Sequence, residues 1–246
     1  MFNAIRKSIL TSALIAGCLI PLVASSAVRP QLTRIVAYAQ DKETPVEIIN
    51  DSEETYLVQS WLEDLNGSDS NIPLVLTPPV IKLGGKTEGK LRLVVLPAEI
   101  PQDRESVYWL SLQEIPPKAK SEEAENKLVI AIRSRLKVFV RPQGLNEKGA
   151  SQAVKSLRWE VEREGGKVWL KAVNPSSYYI SFGKLELKVG GGKSVTLEDK
   201  INMPSPMGSQ RYLVPKAFVG KSATLTYSAV NDYGGAGDEL SQKVSF

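Results

Sequence analysis

The run KLVIAIRSRLKVFVR, residues 127–141, constrains this chain more than any other stretch. Leu128, Ile130 and Ile132 alternate with Val129, Ala131 and Arg133, and Leu136, Val138 and Val140 continue the same parity. Apolarity of period two marks a strand. At ~3.3 Å per residue this one would extend roughly 50 Å, against ~5–6 residues for an ordinary strand. Such a strand could stabilise its own sheet at one end and offer an edge to another chain at the other. Its large aliphatics would then be spaced to fill pockets in that partner. The same pattern also describes two ordinary core strands run together.

The start of the chain places it outside the cytoplasm. Arg6 and Lys7 precede an apolar run from Ile9 to Val23, and the small residues Ala24 to Ala27 follow. This is the pattern of a secretory signal, expected to be cut after Ala27 so that the mature chain starts at Val28. Ile15-Ala16-Gly17-Cys18 also fits a lipoprotein box, which would put a lipid on Cys18. The apolar run continues past it to the second site, which favours the unlipidated product. Removing residues 1–27 leaves 219 of 246 residues and lowers the net charge from +4 to +2. That charge is too weak and too evenly spread to suggest a nucleic-acid partner. No second long apolar run follows, so no membrane-spanning helix is expected.

Missing residue types narrow the chemistry. The chain has no histidine, and its one cysteine, Cys18, leaves with the signal. A Cys/His zinc site, a Ser-His-Asp triad and a cysteine nucleophile are therefore excluded. A disulfide is excluded too, so the cores must suffice. Paired carboxylates could still act as a glycosidase-like couple, but no pair stands out. Asp64 beside Glu63 and Asp103 near Glu105 read as solvated or ion-paired groups. Gly190-Gly191-Gly192 lacks the spacing of a phosphate loop and reads as a hairpin turn. Neither an enzyme activity nor a cofactor or metal is expected.

The rest is β by pattern. Val46–Ile49 and Tyr56–Trp61 read as neighbouring strands, followed by Leu91–Leu96 and Val107–Leu112. Residues 115–126, IPPKAKSEEAEN, are an exposed loop feeding the long strand, which Arg141-Pro142 ends. Residues 143–150 read as a linker. Beyond it, Leu157, Trp159 and Val161 alternate, Gly165-Gly166 turns, and Val168, Leu170 and Ala172 alternate back. Tyr178, Ile180 and Phe182 continue the pattern, then Leu185 and Leu187, and residues 223–230 and 242–246 close the chain. Short strands at regular spacing with Pro/Gly turns and no convincing helix predict an all-β chain. We expect two tandem immunoglobulin-like sandwiches with a cleft between them, over residues 28–144 and 145–246.

Several segments, taken together, resemble the periplasmic pilus-assembly chaperones of Gram-negative bacteria. They are Leu32-Thr33-Arg34-Ile35-Val36, Tyr56–Trp61, Thr77-Pro78-Pro79, Pro101–Ser106, Glu114-Ile115-Pro116-Pro117, Ser134–Phe139 with Arg141-Pro142, Asn174-Pro175, Tyr178-Tyr179, Met203-Pro204 and Asn231–Gly235. They run in family order over essentially the whole mature chain. Strand donation is the established mode of that family: a long edge strand completes the open sandwich of a pilus subunit. The resemblance implies that Leu128, Ile130 and Ile132 are the donated anchors. It implies that Arg34 and Lys137 bind the subunit's C-terminal carboxylate in the cleft. It further implies that Glu105, Arg141 and Asp232 form an ion-pair network between the domains. The implied partners are pilus or other fibre subunits and an outer-membrane usher, in the periplasm, with self-association of the free protein to cap its edge.

Taken alone, Arg34 and Lys137 read as solvated surface charges, and only the flanking motifs assign them to a cleft. Lys137 has the opposite parity to the anchors, so contact of both with one client would require a twist or bulge. Thr55 stands where the family has proline, and Gly84-Gly85-Lys86-Thr87 replaces its usual Pro-Gly turn. The short loop and the absent disulfide point to the short-loop branch, which serves rod-like pili. The alternative is a non-catalytic adhesin or structural module of the same fold, binding through loops.

Overall fold

In the computed structural model of the chain, residues 26–118, 130–197 and 202–246 are described. Among the described residues the first half contains nine strands: β1 (Val28–Pro30), β2 (Arg34–Tyr38), β3 (Thr44–Asn50), β4 (Tyr56–Glu63), β5 (Leu74–Thr77), β6 (Val80–Leu83), β7 (Glu88–Val95), β8 (Ser106–Ile115) and β9 (Arg133–Arg141). A short helix, α1 (Glu147–Ala153), leads into the second half. There follow β10 (Arg158–Glu164), β11 (Lys167–Asn174), β12 (Phe182–Lys188), β13 (Val195–Thr196), β14 (Gly208–Leu213), β15 (Ser222–Ala229) and β16 (Leu240–Ser245).

These strands build two sandwiches. In the first, a sheet ordered β1-β3-β7-β5 packs on one ordered β2-β9-β8-β4-β6; in the second, β10-β11-β14 packs on β13-β12-β15-β16. Alternation drives the packing. Leu91, Leu93 and Val95 of β7 point inward with Val58, Leu110, Val138 and Val140 of the facing sheet, and nearly all are withdrawn from water. Leu170, Leu187, Leu225 and Tyr212 form the second core. Each fully buried aliphatic contributes roughly 1.5–3 kcal/mol before ordering costs. A third, small cluster joins the halves: Val107 and Phe139 from the first meet Met203 from the second, with Val36 and Tyr179 alongside. The fold is therefore the expected pair of immunoglobulin-like sandwiches.

The β10–β11 hairpin forms where the pattern placed it. Glu164 pairs with Lys167 across Gly165 and Gly166, whose φ values of +57° and +72° are what a two-residue hairpin turn of this twist requires. Gly190–Gly192 also turns as expected, between β12 and its partner β13.

Four expectations are corrected. First, Val46–Ile49 and Tyr56–Trp61 are neighbours in sequence only: β3 pairs with β1 and β7, and β4 with β6 and β8, on opposite sheets. Alternation reveals a buried face but not which sheet it belongs to. Second, Tyr178 and Ile180 are buried but lie outside any strand. Asn174 redirects the chain there, its side-chain oxygen accepting from the Ser176 amide at 3.1 Å while its amide donates to Tyr178 O at 2.7 Å. Third, the linker is partly helical: Asn146 caps α1 by accepting from Gly149 N at 2.9 Å, and Glu147 sits in the first turn.

Fourth, the long strand is shorter than expected. β9 begins at Arg133; Ile130 and Ile132 precede it, and Leu128 lies outside the described residues. The ladder ends because its neighbour does. Arg133 pairs with Gln113, and two residues beyond Gln113 strand β8 gives way to Pro116-Pro117, which cannot donate.

Candidate functional site

The geometry of β9 is unusual in one respect. Its residues 137–140 lie between two neighbours, β8 on one side and β2 on the other. Residues 133–136 pair with β8 only, because β2 starts opposite Lys137. One end of the strand is thus central and the other is an edge. Ahead of that edge, Ile132 is still docked, its carbonyl accepting from Glu114 N at 3.1 Å, whereas Ile130 is 65 % exposed.

β2 and β9 are the one parallel pair among the described strands, and Arg34 aligns with Lys137. The odd residues of β9 face away from the core, and the even ones Leu136, Val138 and Val140 face into it. Arg34 and Lys137 therefore emerge side by side on the cleft face. Lys137 sits 5.8 Å from the centre of the Trp109 ring, with Met203 Sδ at 3.6 Å. Burial, with the Arg34 charge beside it, brings the Lys137 ammonium down to about 8. Arg34 stacks 5.6 Å from the centre of Phe139 and donates from Nη1 to Val230 O at 3.3 Å. Its Nε is buried without a hydrogen-bond partner, and burial lowers its pKa despite the pull of Asp232 and Glu105. Neither cation forms an ion pair among the described residues. Two half-buried like charges without an anion destabilise one another, and a carboxylate between them would relieve both.

Arg141, at the end of β9, is 2 % exposed and ties the two halves together. Its Nε donates to Glu105 Oε1 at 2.9 Å, and Nη1 and Nη2 donate to the two oxygens of Asp232 at 2.6 and 2.7 Å. The other Glu105 oxygen accepts from the Tyr179 amide at 2.8 Å. Burial lifts the Glu105 carboxyl to about 7, outweighing the pull of Arg141 and the Tyr179 amide. Asp232 is presented by a tight turn in which Asn231 Oδ1 accepts from Tyr233 N at 3.0 Å and Gly235 N at 2.8 Å. Gly234 in that turn has φ +86°, which favours glycine, and a Cβ there would meet the Thr33 hydroxyl. The turn is thereby seated against the residue preceding Arg34.

All three members of the expected ion-pair set are in contact, and Arg34 and Lys137 are adjacent. The sequence reading missed Tyr38, whose hydroxyl accepts from Arg141 Nη1 at 3.1 Å, and Tyr179, whose backbone holds Glu105. It also missed Trp109, which lies under both Arg135 and Lys137. Parity was the available signal for Tyr38, which shares a face of β2 with Arg34. A cavity of about 530 Å³ opens beside the network, with Arg34, Arg141 and Asp232 in its wall but not Lys137.

Two immunoglobulin-like sandwiches pinned through a buried arginine, with a half-open strand on the cleft face, define a two-domain all-β protein. The comparisons with known proteins place it further. Residues 27–146 match the pili and flagellar-assembly chaperone PapD N-terminal domain, and residues 152–241 match the pili assembly chaperone PapD C-terminal domain. The chain belongs to this family of pili assembly chaperones. It is 37 % identical over 215 residues to the chaperone protein LpfB of Salmonella typhimurium, covering 87 % of each chain. The crystal structure of the YadV chaperone matches with a TM-score of 0.74 at 30 % identity, over 89 % of this chain and 100 % of that one. The crystal structure of the periplasmic chaperone SfaE matches with a TM-score of 0.63 at 29 % identity, over 87 % and 98 %.

Proposed function

We propose that this chaperone acts in the periplasm on subunits of a pilus or related fibre, lending each the open edge of β9 and the segment ahead of it. The observation that carries the reading is the unpaired cation couple at the root of a half-open strand. Arg34 and Lys137 lie at the point where β9 changes from central to edge. A subunit's C-terminal carboxylate bound there by charge-assisted hydrogen bonds would fix the register of an added strand. Backbone pairing along residues 133–136 supplies the ladder, and Ile130 and Ile132, together with Leu128, supply the side chains for the subunit's open groove. The network of Glu105, Arg141 and Asp232 holds the angle between the domains and does no chemistry. In this reading residues 1–27 are a signal removed on export, 28–144 form the chaperone domain and 145–246 the second domain. An outer-membrane usher receives the complex.

The test is co-expression with a pilin-like subunit from the same genome, measuring periplasmic co-purification for the wild type, Lys137→Ala and Arg34→Ala. Capture by the wild type alone supports both the role and the carboxylate anchor. Capture by all three removes the anchor. Capture by none, with a subunit stable on its own, favours an adhesin-like module.

A further inference from the structure

Glu114 is an acid that the proposed function does not use, and its surroundings are specific. It lies near the end of β8 and is 4 % exposed. Its Oε2 accepts from the backbone nitrogen of Val28 at 2.9 Å and from the Ser26 hydroxyl at 3.0 Å. Its Oε1 accepts from Ile132 N at 3.3 Å. The Glu114 amide returns a bond to Ile132 O at 3.1 Å, which Gln113 Nε2 also reaches at 3.3 Å. One side chain therefore clasps the first strand of the mature chain and the root of the segment offered to the subunit. No lysine or arginine among the described residues pairs with it. A buried carboxylate without a cation is costly.

We propose that the missing cation is the α-ammonium of Val28, created when the signal is removed. This rests on cleavage after Ala27, as read above. A signal peptidase adds one water across the Ala27–Val28 amide, giving a carboxylate on the departing Ala27 and an amine on Val28. The free amine, with an ordinary pKa of ~7.7–8.0, takes up a proton near neutral pH. The neutral single donor at 2.9 Å from Glu114 thus becomes a cation with three donors in the same place. The cut also removes the Ser26 hydroxyl, which shares Oε2 in the unprocessed chain, and leaves that oxygen to the new charge. Processing is in this way coupled to the donor segment: a carboxylate neutralised by Val28 is fixed in place to hold Ile132. A retained leader, or a lipid-anchored form cut at Cys18, keeps the neutral amide and the looser clasp.

The experiment has two arms. Mass spectrometry of periplasmic protein first establishes the mature N-terminus; a start other than Val28 overturns the processing reading and the pairing with it. On protein starting at Val28, the α-amine is labelled by ¹³C reductive methylation and titrated by NMR. We expect it to titrate about one unit or more above the ordinary α-amino range, a tenfold or greater shift in protonation equilibrium. Glu114→Gln returns it to that range. A single glycine placed ahead of Val28 does the same with the core untouched, and it also speeds amide exchange at Ile132. An ordinary α-amino titration in the wild type, or one unchanged by Glu114→Gln, overturns the pairing while leaving the processing reading standing.

Discussion

Arg141 grips Asp232 through two parallel hydrogen bonds of 2.6 and 2.7 Å, joining residues 91 positions apart in the sequence and on different sandwiches. The bidentate fork fixes direction as well as distance. A third bond to Glu105 makes this one guanidinium the pin between the two halves.

Removing that pin leaves an orphaned anion. The Glu105 side chain is 1 % exposed, so Arg141→Ala should destabilise the protein by about 3–5 kcal/mol, the usual cost of breaking a buried pair from one side. Denaturant unfolding measures it. Arg141→Lys should recover only part, because a point charge cannot serve the fork and the third bond together.

The pH dependence follows from Glu105. Its folded pKa, about 7, lies above the ordinary carboxyl value of 4.5 because burial disfavours the charge. The folded state therefore binds this proton more tightly than the unfolded state. The contribution of Glu105 to stability should grow as pH falls from about 7 towards 4.5, and its cost should be complete above 7. Unfolding of the wild type against Glu105→Gln across that window isolates the effect. A difference between the two that stays flat with pH counts against it.

Lys137 should show a trade between stability and function. Its ammonium is brought down to about 8 by burial and by Arg34, so keeping it charged at neutral pH costs the free protein stability. Lys137→Met should raise free-state stability by on the order of 1 kcal/mol, after allowance for its partial exposure, and should weaken subunit capture. Loss of a charge-assisted contact worth ~1.5–3 kcal/mol corresponds to roughly 10- to 150-fold in affinity. Wild-type affinity should also fall as pH rises above about 8, where the ammonium is lost, and Lys137→Arg should remove that dependence.

Ile130 offers the opposite case. It is 65 % exposed, so Ile130→Ser should leave stability within about 0.5 kcal/mol. If the side chain fills a subunit pocket, capture should fall by an amount reflecting ~1.5–3 kcal/mol of lost burial. Unfolding and co-purification of one variant separate the two effects.

What was legible in the sequence followed from locality. Alternation together with Gly165-Gly166 specified the β10–β11 hairpin, since both strands and the turn lie within one short stretch. The alignment of Arg34 with Lys137 is a pairing across most of a sandwich, and no local period encodes it. Those residues were reached through the flanking motifs. Tyr178 and Ile180 alternate as a strand would, but the Asn174 side chain competes for the backbone and turns the chain instead. α1 escaped because seven residues carry too little periodicity, although Asn146 followed by Glu147 was a readable helix start. The extent of β9 depended on where its neighbours end, and the sequence of β9 alone does not contain that.

The parallel pairing of β2 with β9 has a consequence for the order of assembly. Tyr38 and Arg141, which close that pair, are 103 residues apart, and Asp232 comes a further 91 residues on. A chain emerging from its amino end presents Arg34 first, long before Lys137 exists to stand beside it. The cation couple is complete only after β9 has arrived, and the pin only after nearly the whole chain has. A half-emerged molecule therefore has neither the cation couple nor the pin in place. The two are completed in order, the couple when β9 pairs with β2 and the pin when Asp232 reaches Arg141.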